Sequence, residues 1–145
     1  MKIGIIGSGA REAAIAWKLR MEVDPGDVFV LPGNDGIPGS HSIDPLDFKA
    51  IKNFCEEKSI GLLFVGPEKP LAEGIVDAFS GTAIRILGPD SRAARLESSK
   101  CFAKEFMRKH GVATASFASF SNLADARLAA KRAGGKIVLK YDGLA

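Results

Sequence analysis

No stretch of the 145-residue sequence is long and apolar enough to anchor it in a membrane. The amino terminus, Met1-Lys2-Ile3-Gly4-Ile5-Ile6-Gly7, has only a few consecutive apolar residues. That is too short for a signal-peptide core and far below the roughly 20 residues a spanning helix needs. The expectation is a cytoplasmic protein that starts directly on a buried strand. Cysteine is scarce: Cys55 and Cys101 fall in separate helical patterns, with no CxxC pair and no histidine cluster beside them. Two free thiols are therefore expected, rather than a disulfide or a metal site. There is no basic arm or stripe, since the net charge of +3 comes from cations dispersed among acidic residues. Nucleic acid is not an expected partner. Internal repeats and low-complexity segments are absent too. What remains, 46% hydrophobic and 26% charged residues, fits a folded globular chain.

Short apolar runs alternate with longer helical patterns, the signature of βαβ units. The fold class expected is α/β: an open, mostly parallel, Rossmann-like sheet flanked by helices, with its loops gathered at the carboxyl ends of the strands. Strands are predicted at Lys2–Ile6, Val28–Leu31, Leu62–Val65 and Arg85–Leu87. Helices are predicted from about Ala10 to Arg20, from an Asp47 cap to Lys58, and from Leu71 to Phe79. In the first helix Ala13, Ala14, Trp17 and Met21 recur at helical steps and are expected to face inward. Pro32 to Pro45, with three prolines and three glycines, reads as a long and functional loop. From Asp90 the pattern turns helical, with Ser91–Glu97, Lys100–His110 closed by Gly111, and Leu123–Ala133. Phe117–Phe120 and Ile137–Lys140 are expected as short strands, and a domain boundary is placed near Glu97–Ser99.

Gly7-Ser8-Gly9-Ala10-Arg11-Glu12 follows the first strand and opens a helix, where a dinucleotide fingerprint would sit. Glu12 stands where a third glycine belongs, and the second strand ends Leu31-Pro32-Gly33-Asn34 without an acid for a ribose. A nicotinamide-dependent oxidoreductase is thereby disfavoured. A small phosphate held by the amides of Ser8 to Arg11, with the Arg11 side chain as charge partner, stays open beside a purely structural tight turn. Glu68, in Gly66-Pro67-Glu68-Lys69-Pro70-Leu71, ends the third strand and is expected to face the same crevice. Two prolines stiffen its turn, which suits a carboxylate aimed at an amine or hydroxyl. A helix N-terminal acid favoured by the macrodipole explains it equally well.

Five motifs occur in order: Gly7-Ser8-Gly9-x-Arg11-Glu12, Pro32-Gly33-Asn34, Gly66-Pro67-Glu68-x-Pro70-Leu71, Leu96-Glu97-x-Ser99-Lys100-x-Phe102-Ala103-Lys104 and Lys140-x-Asp142-Gly143-Leu144-Ala145. Together they resemble the N-terminal third of the glycinamide ribonucleotide synthetases, the phosphoribosylamine–glycine ligases of the ATP-grasp superfamily. The resemblance implies a pre-ATP-grasp, substrate-side domain over residues 1–97, then a linker helix and the incomplete beginning of an ATP-grasp domain over 98–145. It implies ATP-dependent joining of glycine to 5-phosphoribosylamine in purine biosynthesis, through an acyl phosphate of glycine that a dry, closed site must protect. By the same resemblance Gly7, Ser8, Gly9, Arg11, Glu12, Asn34 and Glu68 would hold phosphoribosylamine, and Lys100 and Lys140 would lie near the ATP phosphates. No residue of this chain is assigned a catalytic or metal-binding role; the Mg2+ ligands would lie beyond residue 145. These residues alone are accordingly expected not to carry out ligation.

Two departures from the family pattern bear on the site: Ala10 replaces a glycine, and Ala13 a histidine. Tyr141 replaces a smaller residue. The loss of the histidine favours an alternative, a stand-alone module that binds a sugar phosphate or partner without catalysis. Another ATP-grasp ligase, such as a carboxylase component, is argued against by the contexts of Glu68 and Lys100.

Overall fold

The computed structural model describes residues 1–144. The chain forms two compact units, residues 1–94 and residues 95 onward.

The first unit is built on four strands: β1 (Lys2–Gly7), β2 (Val28–Pro32), β3 (Ile60–Val65) and β4 (Arg85–Leu87). All neighbouring pairs are parallel and the order is β2-β1-β3-β4. The α/β class and the four strands expected from the apolar runs are thus present. Alternation along the strands sends successive side chains to opposite faces. Ile5, Val28 and Val30 join Ala16 and Ile37 in one apolar cluster. Ile6, Leu31, Leu63 and Val65 join Ile51, Cys55, Leu71 and Ile75 in the other. Helix α1 (Ala10–Arg20) supplies the first face, and α2 (Phe48–Lys58) with the short α3 (Glu68–Ala72) and α4 (Ile75–Ala78) supplies the second.

Two expectations fail here for visible reasons. The inward face of α1 is not the one carrying Trp17 and Met21; Trp17 is 66% exposed, and Glu12 and Ala16 are the buried positions. Alanine occurs on several sides of this helix, so spacing alone does not single out a face. The predicted helix from Leu71 to Phe79 is instead α3 and α4, separated at Gly74, whose φ of +90° is closed to ordinary helix and costly for any residue with a Cβ. Asp47 does cap α2, accepting from the Ala50 amide at 2.9 Å.

Both cysteines are free thiols. Cys55 is fully buried on the inner face of α2, and burial, followed by the charge of Glu56, pushes its thiol pKa up to about 11. Cys101 is partly exposed. At pH 8 the native protein is expected to be alkylated by iodoacetamide at Cys101, with Cys55 reacting at least tenfold more slowly because thiolate is scarce and access is blocked. Peptide mass spectrometry over time checks this; equal rates would show that the α2 side of the core is open.

The second unit contains α6 (Lys100–Lys109) and α7 (Leu123–Arg132), and α5 (Ser91–Ser98) leads into it. Ser99 caps α6 through the Phe102 amide, and Asn122 caps α7 through the Asp125 amide. Gly111, at φ +67°, follows the end of α6 as its position in the sequence suggested. The strands expected at Phe117–Phe120 and Ile137–Lys140 are not formed. Their residues favour extended chain, but a strand needs a hydrogen-bonded neighbour, and the second unit has none among the described residues. Val138, Leu139 and Tyr141 are exposed as a result.

Candidate functional site

In an open parallel sheet the ligand crevice lies at the carboxyl ends of the strands, where the chain order reverses. Here that point is the β1/β3 junction, since β2 lies on one side of β1 and β3 on the other. The loops that follow these two strands carry the glycine motif and Glu68. Backbone bonds tie the ends together: the Gly33 amide donates to the Gly7 carbonyl at 3.1 Å and the Gly66 amide to the Ile6 carbonyl at 3.0 Å.

Glu12 explains the glycines. It is 4% exposed, and its Oε2 accepts from the Gly9 amide, the N-cap of α1, at 2.7 Å. A Cβ on Gly7 would lie 2.7 Å from Glu12 Cδ and Cγ. One on Gly66 would overlap Glu12 Oε1 and lie 2.8 Å from Cδ. The carboxylate is thus lodged between the ends of β1 and β3, in space left by two absent side chains. A helix position where glycine would allow close packing is filled by glutamate, and the strands supply the missing room. Glu12 Oε1 is buried without a hydrogen-bond partner; Arg11 Nε lies 3.9 Å away.

Arg11 Nη1 donates to Glu68 Oε1 at 3.1 Å, joining residues 57 apart in sequence. The Glu68 carboxyl is held below its usual range, first by its own backbone amide and then by Arg11. The Arg11 guanidinium is pushed up, chiefly by its hydrogen bond to Glu68. With side chains 64% and 42% exposed, the pair stays open to solvent and to a ligand. Asn34 closes the third side. Its Nδ2 donates to the Ser8 carbonyl at 2.7 Å, and its Oδ1 accepts from the Gly36 amide at 2.8 Å. Both ends of this amide are engaged, so Asn34 clasps the long loop to the glycine loop. Gly7, Ser8, Gly9, Arg11, Glu12, Asn34 and Glu68 therefore all gather at one end of the sheet. Sequence reasoning passed over Gly66 and Ser40. Gly66 opens the motif that carries Glu68 but was given no role, yet it makes room for Glu12. Ser40 Oγ accepts from the Asn34 amide at 3.1 Å and donates toward the Ile37 carbonyl at 2.6 Å. A serine in a loop rich in proline and glycine carries no signal of that role.

Lys100 and Lys140 belong to the second unit. Lys100 opens α6 and donates to the Gly143 carbonyl at 2.5 Å. Asp142 accepts from the Cys101 amide at 3.0 Å and from Ser99 Oγ at 3.1 Å, so it adds a second cap to α6. These bonds, the Cys101 amide foremost, hold its carboxyl below the usual aspartate range. The segment bearing Lys140 is thereby fastened to the helix turn bearing Lys100, while Lys140 itself is exposed. Asp142 was not singled out as a site residue: it lies 41 residues from the Cys101 amide it caps, and no local pattern joins the two. Among the described residues no group of three or more His, Cys, Asp or Glu side chains could hold a metal ion. No helix among them is long and apolar enough to cross a membrane.

A four-stranded parallel sheet with helices on both faces, and with the glycine loop and the Arg11–Glu68 pair at its switch point, defines a doubly wound α/β domain. Comparison with known proteins narrows the class. Residues 1–97 match the family model described as phosphoribosylglycinamide synthetase, N domain, and residues 98–145 match that of the ATP-grasp (A) domain of the same synthetase. The chain belongs to the phosphoribosylglycinamide synthetase family. It is 45% identical over 148 residues to a phosphoribosylamine–glycine ligase of Ralstonia nicotianae and 41% identical over 150 residues to that of Vibrio cholerae. With that of Streptococcus suis it shares 45% identity over 149 residues. Each match covers all of this chain, which spans 35% of the length of the first two relatives and 36% of the third.

Proposed function

We propose that the first unit is the substrate-side domain of a phosphoribosylamine–glycine ligase and that its crevice takes 5-phosphoribosylamine. The observation that carries this is the Arg11–Glu68 pair at the β1/β3 switch point, a cation and a carboxylate side by side and open to solvent. The guanidinium and the start of α1 suit a phosphate. The carboxylate suits the hydroxyls or amine of an aminosugar. Glu12 and Asn34 hold the loop in shape from beneath and beside.

The relatives' name supplies the reaction: the amine of phosphoribosylamine is joined to glycine. ATP supplies the phosphoryl group that activates the glycine carboxylate, with Mg2+ neutralising the phosphates in the complete protein. On this reading Lys100 and Lys140 contact the nucleotide phosphates, and Asp142 keeps their two segments together. Residues 1–97 form the substrate domain and 98–145 the beginning of the ATP-grasp domain, in a cytoplasmic enzyme of purine biosynthesis.

Calorimetry with ribose 5-phosphate, a stable stand-in for the aminosugar phosphate, tests the crevice. Arg11→Ala is expected to weaken binding at least tenfold, as removal of a charge-assisted hydrogen bond to phosphate does. Arg11 is exposed, so the variant should fold, and an unchanged melting temperature would verify that. Equal affinities for the two proteins would remove the phosphate from Arg11 and sink the assignment.

A further inference from the structure

We propose that Glu68 is a specificity-determining residue: by pairing with Arg11 it makes phosphate binding conditional on a ligand that brings its own hydrogen-bond donors, and it holds out inorganic phosphate. This rests on the reading of the crevice as a sugar-phosphate site.

A generic phosphate cradle offers an anion unfilled amides at a helix N-terminus and a free cation. This crevice has both elements, and the guanidinium and one of the amides are already answered from within. The Gly9 amide is taken by Glu12 Oε2 at 2.7 Å, and the Arg11 guanidinium by Glu68 Oε1 at 3.1 Å. The pair is neutral as it stands, one guanidinium against one carboxylate. A bare phosphate would have to take Arg11 from Glu68 and leave a carboxylate beside a second anion, an arrangement that like charges oppose. A phosphorylated sugar with hydroxyls or an amine escapes that penalty. Its phosphate takes the guanidinium, and its donors replace the guanidinium on Glu68.

Two features suit Arg11 to the exchange. Its side chain is largely in solvent, so nothing packs it against Glu68. Its Nε lies 3.9 Å from the buried, unpartnered Glu12 Oε1, so the guanidinium keeps an acceptor oxygen behind it when it leaves Glu68. Glu68 itself is anchored, at the first position of α3 behind Pro67. The carboxylate stays in place while the guanidinium moves.

Inorganic phosphate and ribose 5-phosphate, titrated by calorimetry into the wild-type chain, Glu68→Gln and Arg11→Ala, test the proposal. Glutamine preserves size and an acceptor oxygen but removes the charge that holds Arg11. Glu68→Gln is expected to bind inorganic phosphate about fivefold more tightly, near the upper limit for loss of an exposed ion pair. Ribose 5-phosphate, deprived of its carboxylate acceptor, should gain nothing, so the preference for the sugar falls by at least the same factor. Inorganic phosphate that binds Glu68→Gln no better than wild type overturns the gate. If ribose 5-phosphate binding still depends on Arg11 in that case, the site stands and only the gate falls. If Arg11→Ala leaves ribose 5-phosphate binding unchanged, the sugar-phosphate reading falls and the gate with it.

Discussion

Alanine at position 7 is expected to destabilise the first unit by about 3 kcal/mol, the sum of a left-handed backbone position and an overpacked neighbour. Gly7 has φ +128°, and its Cβ would lie 2.7 Å from Glu12 Cδ and Cγ. Gly66→Ala meets the same carboxylate without positive φ, and about 2 kcal/mol is expected for overpacking alone. Glu12 could withdraw from either methyl group, but only by leaving the Gly9 amide at the start of α1. The two contributions separate in a Glu12→Ala background. There Gly66→Ala should become nearly neutral, whereas Gly7→Ala should retain its backbone cost, about 1 kcal/mol or more. Urea unfolding midpoints of the four double-cycle proteins at each glycine measure this. If Gly66→Ala costs as much without Glu12 as with it, the carboxylate is not what occupies the space between β1 and β3.

Those glycines show where sequence reading succeeds and where it stops. Short apolar runs mark the strands because a strand buried on both faces has few other compositions. Once four parallel strands are placed, the carboxyl-end rule brings Arg11 and Glu68 to one crevice without reference to any side chain. The pairing of Gly66 with Glu12 is a different matter, because it joins positions 54 residues apart through a space that only packing defines. The face of α1 was misread for a related reason: alanine on several sides leaves tertiary contact to choose which side is buried. Ile137–Lys140 carries strand-forming residues, but strand formation depends on a partner, and the second unit has no neighbouring strand among the described residues. The lysines could be picked out as candidates; the bond from Lys100 to the Gly143 carbonyl and the Asp142 cap could not.

Leu63→Ala is expected to destabilise the first unit by about 3 kcal/mol, whereas Trp17→Ala, the larger truncation, should change stability by less than about 0.5 kcal/mol. Leu63 is fully buried on β3 and pairs in register with Gly4 of β1 and Ile86 of β4. A Cβ on Gly4 would lie 2.7 Å from Leu63 Cδ1, so the leucine packs over bare backbone. No side chain at position 4 can move into the void, and a site that cannot collapse loses more than one that can. Trp17 points to solvent, so its indole leaves no cavity behind. The void would lie on the α2 face of β3, one of the two strands whose ends carry Gly7 and Gly66 and hold Glu12. Leu63→Ala should therefore weaken ribose 5-phosphate binding even where the protein remains folded, and Trp17→Ala should not. Urea midpoints with calorimetry on both variants decide the matter. A costly Trp17→Ala beside a tolerated Leu63→Ala would mean that α1 buries the face its spacing first suggested, and Glu12 could not then sit beneath the glycine loop.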